Sequence, residues 1–283
     1  MSQIVLDNRS VNPAYRKAVE EINKNSGQWQ VFESLGNCVV LAGPGSGKTK
    51  TLTTKLSRML QEDVHSPRGI ACLTYNNECA RELKRRLEAL GTITHRNAFV
   101  GTVHSFCMVN VIAPYARLTS LNIPESLMVA SPNQQKEHWN AALQKVYGLS
   151  KKPSNTEIDH YRRTYLDRNS EEWKSTNEPL AYSIEVYEQG LRCSGLIDFD
   201  DMILLGLRLV EENAWIRRLL KARFPILVID EYQDLGFALH RLADSLCFDA
   251  TWSYQNPCFY LDRCLICFNY LHKCNYFPKC TYI

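Results

Sequence analysis

The feature that most restricts this chain is the run Ala42-Gly43-Pro44-Gly45-Ser46-Gly47-Lys48-Thr49. Its glycines let backbone N–H groups converge on an anion with no Cβ in the way. Lys48 adds a point charge, and Thr49 offers a hydroxyl to a divalent cation. Ala42 stands where such loops usually begin with glycine. Cys38 to Ala42 reads as a short buried strand and Thr49 to Leu60 as a helix. The loop therefore has the strand-to-helix setting that a triphosphate cradle requires.

The flanking sequence extends this unit. Residues from about Asn12 to Asn25 have the spacing of an amphipathic helix, with Ala14, Ala18, Val19 and Ile22 on one stripe and Pro13 in the first turn. Gly69 to Tyr75 reads as a buried strand, Asn77 to Leu90 as a helix closed by Gly91, and Ala98 to Val103 as a third strand followed by a helix toward Pro114. Strands alternating with helices predict a doubly wound parallel sheet. From Asn110 to Arg192 the pattern changes to polar helices and loops punctuated by prolines, with no convincing strand, which predicts an inserted helical subdomain. The sheet pattern resumes at Phe224 to Asp230, an apolar run ending in Asp230-Glu231. Two acids at the end of a buried strand are costly unless a cation or water chemistry uses them. Asp230 is expected to hold Mg²⁺ and Glu231 to act on the attacking water.

Composition sets only broad bounds. A formal net charge of +3 on 283 residues permits a nucleic-acid partner without requiring one. The N-terminus has no secretory pattern and no apolar run reaches membrane-spanning length, so a cytoplasmic protein with no membrane partner is expected, its eleven cysteines reduced.

Asp230-Glu231-Tyr232-Gln233-Asp234 resembles the DE-aromatic-QD motif of UvrD/Rep/PcrA-like superfamily 1 DNA helicases. Other segments are similar to that family's motifs in the same order. Gln28, twenty residues before Lys48, looks like the glutamine that reads adenine, with Gln30 as the alternative. Leu73-Thr74-Tyr75-Asn76-Asn77 looks like motif Ia and Gly101-Thr102-Val103-His104-Ser105-Phe106 like motif Ib. Leu196 to Asp201 is similar to the segment that returns from the inserted 1B domain.

The resemblance implies a RecA-like P-loop NTPase sheet with an inserted α-helical subdomain. It divides the chain into 1–109 (1A, first part), 110–192 (1B), 193–249 (return to 1A) and 250–283 (tail). It also implies ATP and Mg²⁺ as cofactors and single-stranded or partly duplex DNA as partner. Lys48, Asp230 and Glu231 would be catalytic, and Thr49 and Asp230 would hold the metal. Residues 42–50 with Gln28 and Gln233 would bind the nucleotide, while Thr74, Tyr75, Asn76, Thr102 and His104 would contact DNA. Lys50 departs from the family's usual arginine and cannot reproduce a planar fork.

After the DEYQD pentad no segment resembles the family's next motif, and no glycine follows Phe237. From Cys247 onward the sequence carries six cysteines and ten aromatic residues in 37 positions. A zinc site using Cys264 and Cys267 with Cys258, His272, Cys274 or Cys280 is one reading and an aromatic interaction segment another. The leading expectation is a frameshifted tail on a chain truncated after motif II, active weakly if at all. The competing expectation is an inactive nucleotide- and DNA-binding module.

Overall fold

A computed structural model describes residues 12–74, 76–92, 98–119, 124, 127–168, 170–231, 237–247, 263–268 and 281–282. The chain forms two compact units. The first takes in Met1–Val103, Arg217–Leu235 and Asp244–Ile283, and the second His104–Ile216 with Gly236–Ala243. The helical unit is thus wider than the 110–192 expected.

The first unit starts with α1 (Pro13–Asn23) and α2 (Ser26–Glu33), then β1 (Cys38–Leu41), α3 (Lys48–Glu62), β2 (Ile70–Thr74), α4 (Asn77–Ala89) and β3 (Ala98–Thr102). These match the predicted elements to within two residues, apart from α2, which the sequence reading left unassigned. Gly91 takes φ +77 just beyond α4, the left-handed conformation that closes a helix.

The second unit is mostly helical. It runs through α5 (Val103–Phe106), a π-helical turn (Cys107–Ile112), α6 (Ala113–Tyr115), β4 (Met128–Val129), α7 (Pro132–Tyr147), α8 (Asn155–Thr164), α9 (Glu171–Ser175), α10 (Glu178–Cys193), β5 (Leu196–Ile197) and α11 (Phe199–Glu212). The expectation of no strand between 110 and 192 is corrected, because β4 pairs in parallel with β5. Two exposed residues are too short a run for period-2 patterning to register. Inside this unit Arg162 makes a bidentate bond to Asp198 and a single bond to Glu188, all three side chains buried, and Tyr187 donates to Asp198. Trp139 stacks on Tyr187 with centroids 3.8 Å apart.

The chain then passes through α12 (Ala214–Arg223), β6 (Ile226–Ile229), α13 (Phe237–Cys247), β7 (Arg263–Phe268) and β8 (Thr281–Tyr282). Six strands form one sheet in the order β3-β2-β6-β7-β1-β8, all neighbours parallel. The tail is therefore not foreign to the sheet: β7 lies between β6 and β1, with Leu265 opposite both Val228 and Cys38. The sequence Leu265-Ile266-Cys267-Phe268 is an apolar run of the kind a strand inside a parallel sheet needs. Attention to cysteine spacing concealed a strand. Cys258, His272, Cys274 and Cys280 lie outside the described residues.

The core of the sheet unit gathers Val40, Leu52, Leu56, Ile70, Cys72, Leu83, Val100, Ile226 and Val228. Burying each large aliphatic side chain there contributes about 1.5–3 kcal/mol. That core clamps α3 against β1, so the loop joining them is held from both ends.

Candidate active site

The loop after β1 ends at Gly47, which has φ +83 and starts α3 with no side-chain cap. Asn12, Asn25, Asn76, Ser131, Ser154 and Asp198 each cap the helix they precede. Helix α3 alone among these leaves its first N–H groups to a ligand, where the helix dipole favours an anion. The positive φ is what calls for glycine at 47, and a Cβ there, 2.6 Å from Gln28 Nε2, would also push the end of that flexible side chain aside.

Gln28 comes from α2 and donates through Nε2 to Ser46 O at 2.7 Å. With Gly43, Ser46, Lys48 and Val40 it lines a cleft of about 270 Å³ beside the loop. This cleft has the place and chemistry of a nucleotide site, and Lys48 is the cation of its lining. Thr49 follows Lys48 in the first turn of α3. Gln30 is exposed.

Opposite the loop, Asp230 extends the β6 ladder by donating its N–H to Leu73 O at 2.9 Å. Lys48 Nζ lies 2.5 Å from Glu231 Oε1 and 3.9 Å from Asp230 Oδ1. Burial lifts the Asp230 carboxyl above the ordinary aspartate range; Lys48 pulls it down and Glu231 pushes it up. Asp230 Oδ1 is buried with no hydrogen-bond partner. A buried carboxylate oxygen without a hydrogen bond beside another acid is what a hard divalent cation satisfies, so these residues fit Mg²⁺. Glu231 holds φ +54, an uncommon conformation for a residue with a Cβ and one that recurs at active sites.

The structure thus unites Gln28, residues 42–49, Asp230 and Glu231. Gln233 and Tyr75 lie outside the described residues. Lys50 is drawn aside into an ion pair with Glu21 of α1. Among the expected DNA contacts, Asn76 is exposed, although its side chain caps α4 through Cys79 N. Thr74 is fully buried and its hydroxyl donates to Asn76 O, which corrects its placement as a side chain touching DNA. Thr102 is buried too, at 7% exposure. For Thr74 the reason is that β2 has strand partners on both sides, which turns inward even a polar residue at its end. His104 is half-buried against Phe199, and burial lowers its pKa against the pull of Asp200.

Sequence reasoning missed Glu21, Ser34 and Lys55. Lys55 is buried at 1% exposure and donates to Val31 O at 2.8 Å, Phe32 O at 3.2 Å, Ser34 O at 2.7 Å and Ser34 Oγ at 2.9 Å. The available signal was a lysine inside the apolar stripe Leu52, Leu56, Met59.

A parallel α/β sheet, a glycine-led helix with no side-chain cap and an acid pair ending a buried strand define a RecA-like P-loop NTPase domain. More particularly, the chain belongs to the UvrD/REP helicase family: residues 24–252 match the model of the UvrD/REP helicase N-terminal domain. It is 28% identical over 231 residues to ATP-dependent DNA helicase Rep of Escherichia coli strain K12, covering 78% of this chain and 34% of that protein. Identity to ATP-dependent DNA helicase PcrA of Staphylococcus aureus strain Mu50 is 27% over 218 residues, 75% of this chain and 30% of that one. The chain spans about a third of the length of the relatives it matches. Among the described residues no helix is long and apolar enough to cross a membrane.

Proposed function

We propose that this chain is the ATP-binding part of a DNA helicase, taking Mg²⁺-ATP at the phosphate loop and single-stranded DNA through Tyr75, Asn76 and His104. The observation that carries the nucleotide reading is the buried Asp230 Oδ1, which has no hydrogen-bond partner, set beside Lys48 and Glu231. On binding, Lys48 exchanges Glu231 for phosphate oxygens. Glu231, released, accepts a proton from the water that attacks the terminal phosphorus. Gln28 orients the adenine. Thr49 and Asp230 would hold Mg²⁺, which neutralises charge on the phosphates when bound.

Hydrolysis at a helicase rate and unwinding would draw on a second RecA-like domain. Arginines aimed at the transferring phosphoryl group are worth roughly 10³–10⁵ in rate. Lys48 is the cation lining the cleft among the described residues, which supports slow turnover by this portion by itself.

A non-catalytic nucleotide- and DNA-binding module is the competing reading, favoured by the engagement of Glu231 with Lys48. Titration of ATP and of a single-stranded oligonucleotide into wild type, Lys48→Ala and Tyr75→Ala separates the two. ATP binding lost in Lys48→Ala, and oligonucleotide binding weakened in Tyr75→Ala by about 1–3 kcal/mol, are expected. DNA-stimulated turnover of about 1 s⁻¹ or faster would sink the module reading, and failure of wild type to bind ATP would sink both.

A further inference from the structure

We infer that Lys55 is a positioning residue for nucleobase selection: it fixes the helix that carries Gln28 relative to the phosphate loop. The inference rests on the proposed ATP site. Lys55 stands on α3, seven residues after Lys48, and its ammonium is closed off from water.

The oxygens of Val31, Phe32 and Ser34 that it bonds belong to the C-terminal turn of α2 and the residue after it. The last carbonyls of a helix have no intrahelical partner and carry the negative end of its dipole. An ammonium has three donors and is costly to bury, and here every donor finds an acceptor. The same helix, α3, therefore begins by presenting the phosphate cradle and two turns later grips the end of α2.

The consequence falls on Gln28. Helix α2 is only eight residues long, so a shift of its C-terminal turn is transmitted to Gln28 near its start. Gln28 reaches the loop through its bond to Ser46 O, beside Gly47, where the missing Cβ leaves place for its amide. Arg58, one turn beyond Lys55, lies 4.6 Å over the Phe32 ring and 3.6 Å from Glu33, reinforcing the same junction. No comparable fastening is needed for the phosphates, which bind to backbone N–H groups and Lys48. Lys55 should thus govern which base is preferred and leave triphosphate affinity alone.

The test measures dissociation constants for ATP, GTP and inorganic tripolyphosphate with the full chain, as wild type, Gln28→Ala, Lys55→Met, Lys55→Arg and Ser34→Ala. In Lys55→Met the preference for ATP over GTP is expected to fall up to about tenfold, the scale of a lost hydrogen bond to a base, matching Gln28→Ala. Tripolyphosphate binding should stay unchanged, and Lys55→Arg should restore preference. Ser34→Ala removes one acceptor without burying a new group and should show a smaller loss of the same kind if Lys55→Met does not fold. Equal weakening for all three ligands, or an intact ATP preference in both Lys55→Met and Ser34→Ala, would overturn the inference. A wild type that binds none of the three would instead refute the nucleotide site, and a wild type without base preference would refute the role of Lys55.

Discussion

The ammonium of Lys48 makes its short ion pair with Glu231 at 2.5 Å and stands 3.9 Å from Asp230 Oδ1. In the proposed site, the cation of the cradle and the carboxylate proposed as base hold each other. Glu231→Gln therefore releases a competitor of the phosphates. ATP should bind at least as tightly as to wild type, while any measurable turnover falls by about 10²–10⁴, the usual contribution of a general base. Isothermal titration and phosphate release check the two halves, and weaker ATP binding would show that the pair does not restrain Lys48.

Asp230 is held above its ordinary pKa chiefly by burial. An acid raised by folding keeps a proton that the unfolded chain has released, so its contribution to stability declines as pH climbs from the ordinary aspartate range through the raised value. Asp230→Asn lacks this term. The melting temperature of the nucleotide-free variant should rise relative to wild type across that window and stay higher at neutral pH. Its Mg²⁺-dependent ATP binding should be lost. A difference between the melting curves that does not grow with pH contradicts this account.

Glu188 illustrates the opposite sign. Burial would raise its carboxyl, but Arg162, Arg168 and Arg192 outweigh burial and hold it at about 2. That stability is complete above the ordinary glutamate range and is lost as pH falls from there toward about 2. Arg162→Met would leave Glu188 and Asp198 buried without their shared counter-charge, at a cost of about 3–5 kcal/mol. Urea denaturation measures the loss, and acid unfolding should begin at higher pH than in wild type. A variant within about 1 kcal/mol of wild type would show that the network adds little.

Gly47→Ala combines two penalties. The left-handed backbone costs an L-residue roughly 1–2 kcal/mol, and the new Cβ meets Gln28 Nε2 at 2.6 Å. Lower melting temperature and reduced ATP affinity are both expected. Gly43→Ala, where a Cβ meets nothing within 4 Å, should melt with wild type. If the two variants melt alike, the conformational argument fails.

Much of this site was legible in the sequence because its parts are local. A strand, a glycine turn and a helix in succession are constrained by backbone geometry over a dozen residues, and the turn residues sit within the motif itself. The apolar run ending in Asp230-Glu231 is local in the same way. Even the family resemblance rests on short contiguous segments.

Tertiary structure alone decided what those parts face. Lys48 and Glu231 are 183 residues apart, and they meet because β1 and β6 run parallel in one sheet, joined through β7, so that the loop after β1 and the acids after β6 lie at the same end of it. The same holds for Glu21 with Lys50 and for Lys55 with α2, whose partners carry no motif. Thr74 and Thr102 read as surface residues from their motifs and are buried in the fold. The strand at Arg263–Phe268 was hidden for the converse reason, since cysteines in a row suggest ligands until a neighbouring strand shows them as part of an apolar run. Chemical capacity is a property of residue types and their spacing. Which capacity is exercised depends on burial and on partners distant in the chain, and only the closed fold supplies those.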